Sequence, residues 1–231
     1  MTTAPPLEVL SDDDVPTGNT YDKYASKNPI EQRLMDGFFA ALDGSLPTRA
    51  PTAVLEVGVG EGEVAERLRA RWPGVPIAGI DLPDHELAAH WIGRAHSGAF
   101  ADIARLPFPD DTFDLVLAIE VLEHVGDPIA ALTELDRVSR GDLVLSVPRE
   151  RIWCAANMAR GKYLRALGNT PGHVNHWSKQ GFTQLVGSTF TVRQVRSPFP
   201  WTMVAASSRR HSPWLRSATT DPGSRRPRAP R

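Results

Sequence analysis

Three glycines at alternate positions, Gly58, Gly60 and Gly62, stand between a short apolar run and a helical stretch in the segment Glu56-Val57-Gly58-Val59-Gly60-Glu61-Gly62. That spacing lets a backbone turn sharply after a strand and approach a ligand with no Cβ in the way. A dinucleotide pyrophosphate site asks for G-x-G-x-x-G, and position 63 is Glu. Glu61 and Glu63 also sit at the helix start, where a phosphate would bind and where these carboxylates repel it. Glu56 points the same way, because a carboxylate ending an apolar strand is costly without a partner. The ligand these residues favour is a nucleoside without phosphates, preferably cationic. On the turn alone, a tight strand-to-helix connection with no ligand is the competing reading.

The elements that must position this turn follow from periodicity. Asn28-Pro29 reads as an N-cap with proline at the first helical position and Glu31 at the capping-box position. Ile30, Leu34, Phe38 and Ala41 follow at helical spacing, Met35 and Leu42 widen the stripe, and Asp43-Gly44 ends the helix. Strands are then expected at Ala53–Val57, Ile77–Ile80, Ala99–Phe100, Phe113–Ile119 and Asp142–Val147, with helices at Glu63–Trp72, Asp84–Trp91 and Ile129–Arg137 between them. Strands alternating with helices imply a parallel sheet covered on both faces, and right-handed crossovers make it a doubly wound α/β sheet. Phe190–Val195 and Trp201–Ala206 are separated by only Arg196-Ser197-Pro198-Phe199-Pro200, too short for a crossover helix, so these strands are expected to pair antiparallel.

Composition divides the chain into a disordered leader over residues 1–20, one domain over 21–206 and a basic disordered tail over 207–231. The tail holds seven of the 26 lysines and arginines but one of the 27 acids, so the body is acidic. Such ends are usually solvated, and nucleic acid is not the expected partner. The purest apolar run, Leu115 to Ile119, is strand-sized against the roughly 18 residues that a membrane span needs. The N-terminus lacks the basic-then-apolar order of a signal peptide, and the single Cys154 fits a reducing compartment. A soluble, cytoplasmic protein is expected.

Four ordered blocks resemble class I S-adenosylmethionine-dependent methyltransferases, in the branch similar to the ubiquinone/menaquinone-biosynthesis (methyltransferase type 11) enzymes. VLEVGVGEGEV (54–64) resembles the first motif, and IAGIDL (77–82) the second strand. ADIARLPFPDDTFDLVLAIEVLEHV (101–125) resembles the third and fourth blocks. The likeness runs from about Tyr21 to Ala206 and implies a Rossmann-like, seven-stranded, mostly parallel sheet with an antiparallel last strand. It implies S-adenosylmethionine as methyl donor, with Glu56, Gly58, Gly60 and Gly62 along its methionine portion. Asp81 would hold the ribose hydroxyls with Leu82 beside it, and Asp102 would accept from the adenine amino group while Ile103 packs on the ring. Glu120 with Val121 would flank the reacting end. Tyr21 belongs to an N-terminal segment that folds over the donor in the family, where an aromatic face suits a sulfonium.

Methyl transfer is an in-line displacement that needs alignment, plus a base for some acceptors. The candidates are His124, just past the fourth strand, and His173 and His176, which flank Asn175 ahead of Ser178, an N-cap for a helix over Phe182–Val186. The family places a substrate-covering insertion at about 149–178, where Trp153, Met158, Tyr163 and Leu164 form an amphipathic set. A small-molecule acceptor is the leading expectation, with no metal site. Glu120, Glu123, His124 and a later histidine also permit a metal-assisted RNA methyltransferase. A donor-binding partner subunit without its own turnover is a further alternative, and a nicotinamide oxidoreductase is disfavoured by the missing third glycine. Fold analogy names no acceptor.

Overall fold

The computed structural model describes residues 28–149 and 174–211. The leader, most of the expected insertion and the tail from residue 212 lie outside the described residues. Helix α1 (Pro29–Asp43) begins as expected, with the Asn28 side chain accepting from the Ile30 amide at 3.0 Å. Phe38, Ala41 and Leu42 are its buried face, whereas Ile30, in the first turn, is exposed. The chain continues through β1 (Val54–Val57), α2 (Glu63–Arg71), β2 (Ile77–Asp81), α3 (His85–His90) and β3 (Ser97–Phe100). It then forms β4 (Phe113–Ile119), a 3-10 turn (Leu122–His124), α4 (Pro128–Val138) and β5 (Ser139–Pro148). Helix α5 (Lys179–Thr189) and strands β6 (Phe190–Arg196) and β7 (Trp201–Ser208) complete it.

The seven strands form one sheet in the order β3-β2-β1-β4-β5-β7-β6. The first five pair in parallel, and β7 runs antiparallel to both β5 and β6. The expected α/β architecture, antiparallel last strand included, is the observed one. Strand order reverses between β1 and β4, and in open sheets ligands bind outside the strand ends at that switch. Every residue of β1 is buried, so Glu56 lies inside the sheet, paired with Gly79 on one side and Leu117 on the other.

Apolar side chains cover both faces. One core joins Leu55, Val57, Val116 and Leu145 to Leu132 and Leu135 of α4 and Phe182 and Val186 of α5. The other joins Leu115, Leu117 and Met203 to Phe38 and Leu42 of α1 and Val64 and Leu68 of α2. β5 starts three residues earlier than expected because α4 runs into it without a loop. β7 extends to Ser208, two residues past the expected end. Arg209 and His211, which composition grouped with the tail, dock on the body: Arg209 donates to Ser188 O at 3.2 Å, and His211 Nε2 meets Asp111 Oδ1 at 2.8 Å.

Candidate active site

All three glycines of the turn adopt left-handed φ, at 73°, 51° and 88° for Gly58, Gly60 and Gly62. Their reasons differ. A Cβ on Gly58 would stand 2.2 Å from Val121 Cγ2, and one on Gly62 would stand 2.7 Å from His96 Cε1. A Cβ on Gly60 would meet nothing within 4 Å, so Gly60 faces open space. The amides of Gly58 and Val59 both donate to Ile80 O, at 2.7 and 3.1 Å, stitching the turn to β2.

Two carboxylates converge below that open face. Asp81, the last residue of β2, accepts from the Gly60 amide at 2.7 Å and from the Leu82 amide at 2.8 Å. Burial raises the Asp81 carboxyl above its ordinary range, the Gly60 and Leu82 amides oppose that shift, and Asp84 adds to it. Glu56 is 2% exposed, and its Oε2 has no hydrogen-bond partner. Burial, reinforced by the charge of Asp81 and opposed by the Ala65 amide, pushes the Glu56 carboxyl well above the usual range. A cation placed here would restore the charged form of both acids.

The other expected donor contacts are distributed along the same strand ends. Leu82 is exposed, and Ala101 N donates to Asp81 O, bringing the ends of β2 and β3 together. Asp102 is exposed and accepts from Ala104 N at 2.8 Å, while the Ile103 side chain is buried in the core beside Leu106. Glu120 has φ +59°, rare for a side chain with a Cβ. Its carboxylate is directed toward β5 and β7: Oε1 accepts from Ser146 Oγ at 3.1 Å and Oε2 from Trp201 Nε1 at 2.6 Å.

On the side expected to face the acceptor, the 3-10 turn places Glu123 in the interior and His124 half-buried. The segment entering α5 is fastened to this turn. Val174 N and Asn175 N both donate to Glu123 O, at 2.9 and 3.0 Å, and Asn175 Nδ2 donates to Leu122 O and Val125 O at 3.2 and 2.6 Å. His176 follows, exposed, and Ser178 caps α5 by accepting from the Gly181 amide at 3.1 Å. His124 and the segment carrying His176 are thus brought to one edge; His173 and Tyr21 lie outside the described residues. At the other side of this edge Arg149 N donates to Pro200 O at 2.9 Å. Among the described residues no group of three or more His, Cys, Asp or Glu is arranged to hold a metal.

Local sequence gives no role to Asn175, Ser146, Trp201 or His96, and places Trp91 only at the end of the expected helix Asp84–Trp91. Trp91 Nε1 in fact donates to Gly60 O at 2.8 Å. No local pattern announces these residues, although glycines in the short strands β2 and β3 signal that something large lies against them.

A family model described as a methyltransferase domain matches residues 30–189. The chain belongs to that family. It is a class I S-adenosylmethionine-dependent methyltransferase domain, and S-adenosylmethionine is the methyl donor of that family. The 27-O-demethylrifamycin SV methyltransferase of Amycolatopsis mediterranei (strain S699) is 31% identical over 146 residues, 58% of this chain and 50% of that protein. The malonyl-(acyl-carrier protein) O-methyltransferase of Laribacter hongkongensis (strain HLHK9) is 31% identical over 138 residues, 54% of this chain and 45% of that protein. The chain spans about half the length of these curated relatives. A solved S-adenosylmethionine-dependent methyltransferase from Aquifex aeolicus shares the fold, with a TM-score of 0.61 at 17% identity over 78% of this chain and 94% of that one. The methyltransferase site fits its donor: the buried Glu56 Oε2 and Asp81 suit a cation, and the open face of Gly60 lets it approach the backbone. No helix among the described residues is long and apolar enough to cross a membrane.

Proposed function

We propose that this methyltransferase acts on a small-molecule acceptor, free or carried on a carrier protein. The observation that carries the donor half of the site is Glu56, a buried carboxylate with an unpartnered oxygen beside Asp81 at the mouth of the turn. Glu56 and the backbone at Gly58, Gly60 and Gly62 hold the methionine portion, Asp81 with Leu82 the ribose, and Asp102 with the backbone around Ile103 the adenine. By the family resemblance Tyr21, outside the described residues, is the aromatic partner for the sulfonium. Bound there, S-adenosylmethionine supplies a methyl group on a positively charged sulfur, open to attack by an aligned nucleophile.

The acceptor half lies past the end of β4, where His124 and His176 are the candidates to orient an acceptor or take its proton, with His173, outside the described residues, as the third. Glu120 positions this edge through Ser146 and Trp201. The names of the two relatives, which give 27-O-demethylrifamycin SV and malonyl-(acyl-carrier protein), support an acceptor of this class. The single cysteine supports a cytoplasmic setting.

The test is transfer of label from methyl-labelled S-adenosylmethionine to a panel of phenols, secondary amines and carboxylates, free and thioester-linked to carrier protein, with bulk RNA as control. Label in the small-molecule or carrier-bound fraction is expected. Label confined to RNA overturns the reading. Donor binding without transfer to any acceptor favours the partner-subunit alternative.

A further inference from the structure

Strands β2 and β3 pair in register with Gly79 opposite Gly98, so two side chains are missing at one place on the sheet. The vacancy is filled from the α3–β3 connection. A Cβ on Gly98 would stand 2.1 Å from Trp91 Cε3, and one on Gly79 would stand 2.5 Å from His96 Cδ2. The two rings meet edge to face, with centroids 5.7 Å apart, and Trp91 also leans on Phe100 at 4.8 Å. Lying this deep, they reach the glycine turn from beneath: Trp91 Nε1 donates to Gly60 O, and His96 blocks any side chain at Gly62.

The connection is fastened to α2 as well. Arg94 Nη1 lies 3.3 Å from Glu63 Oε1, and Ala95 N donates to Glu66 Oε1 at 2.8 Å. His96 is 7% exposed, and neither ring nitrogen has a hydrogen-bond partner. Burial lowers its pKa, which Glu66 opposes and Arg94 reinforces, so the ring is packed as a neutral wedge.

Gly60 is therefore gripped on both sides of its Cα: its amide by Asp81 and its carbonyl by Trp91, with its open face between them. A glycine not so held samples many conformations, and a ligand that needs one of them must select it. We propose that Trp91, seated with His96 in the Gly79–Gly98 slot, is a positioning residue that fixes Gly60 for the methyl donor. The inference rests on donor binding at the glycine turn.

Trp91→Phe keeps a ring over Gly98 and removes the N–H. Its expected effect is a donor KM raised roughly 5- to 30-fold, the range for ordering one residue on binding, with kcat at saturating donor within about twofold. Amide hydrogen exchange at residues 60–62 of the donor-free protein should quicken without a matching change in the α4–β5 core. Gly98→Ala, placed away from the donor, displaces the ring without removing it and should raise donor KM in the same direction. It reads the coupling even where Trp91→Phe does not fold. An unchanged donor KM in a folded variant overturns the proposal, as does a fall in kcat with donor KM unmoved. Absence of donor binding to the wild-type protein in calorimetry would instead sink the donor-site reading itself.

Discussion

Gly58→Ala should be among the most damaging single-methyl additions in this protein, for two separable reasons. The first is conformational: at φ +73° an alanine costs roughly 1–2 kcal/mol relative to the right-handed regions. The second is steric. The added Cβ would lie 2.2 Å from Val121 Cγ2, and over-packing of this kind typically costs about 1–3 kcal/mol. The sum, about 2–5 kcal/mol, is a large share of the roughly 5–15 kcal/mol that holds a domain folded. Gly60→Ala carries the first cost alone, since nothing lies within 4 Å of its Cβ position. Urea unfolding of the donor-free protein should therefore rank Gly58→Ala well below Gly60→Ala. Adding Val121→Ala to Gly58→Ala removes the clashing methyl, leaves the Cβ position 3.5 Å from Val121 Cβ, and should recover the steric portion in a double-mutant cycle. For donor affinity the roles reverse: the Gly60 methyl projects into the donor's approach and should weaken binding at least about tenfold, roughly 1.4 kcal/mol. If Gly58→Ala and Gly60→Ala unfold within about 0.5 kcal/mol of each other, or Val121→Ala recovers nothing, the packing account of the turn is wrong.

Asp81→Ala removes a carboxylate that already orders Gly60 and Leu82 and should weaken donor binding in calorimetry by at least about tenfold; unchanged binding would sink the ribose assignment. Glu56, its carboxyl raised by burial, binds more protons folded than unfolded, so it subtracts stability as pH climbs above its ordinary range. Donor-free Glu56→Gln should accordingly gain on wild type between about pH 5 and pH 8, and equal pH slopes for the two in thermal melts would refute this. A cationic donor that draws Glu56 into its charged form also expels a proton, so the wild-type binding enthalpy should depend on the buffer's ionisation enthalpy and that of Glu56→Gln should not. Glu120→Gln turns one of two acceptors into a donor facing Ser146 Oγ or Trp201 Nε1 and should cost about 1–3 kcal/mol in urea unfolding; a loss below about 0.5 kcal/mol would show that the bridge carries no stability.

Much of the fold is legible along the chain because its signals are local. Asn28-Pro29 starts α1 where capping chemistry puts it, and the short Arg196–Pro200 link enforces the antiparallel end of the sheet. Ile30 shows the limit of periodicity: it sits on the right stripe but in a first turn that overhangs the core. The places of the three proposed donor-binding acids are legible for the same local reason: Asp81 is the last residue of β2, Glu56 the next to last of β1, and Asp102 lies two residues past β3. The acceptor half is not. Asn175 meets Leu122 and Val125 some 50 residues away, and Trp201 reaches Glu120 across 81. These are pairings of ordinary residues that only the assembled sheet creates. Trp91 and His96 lie between these cases, because the glycines they cover were visible and the register that places Gly79 opposite Gly98 was not.

The two fastenings at the acceptor edge, Arg149 N to Pro200 O and the paired amides of Val174 and Asn175 to Glu123 O, bracket the stretch between them. Both anchors use mostly backbone atoms, so they constrain the ends of that stretch and almost nothing of its composition. Lengthening a connection between fixed ends is cheap, about 0.6 kcal/mol for each doubling. A lineage, or a protein engineer, can thus exchange residues 150–173 for another length or chemistry while β1, β2 and the glycine turn stay as they are. In the proposed site the donor half is then independent of that stretch, and the acceptor half is a socket.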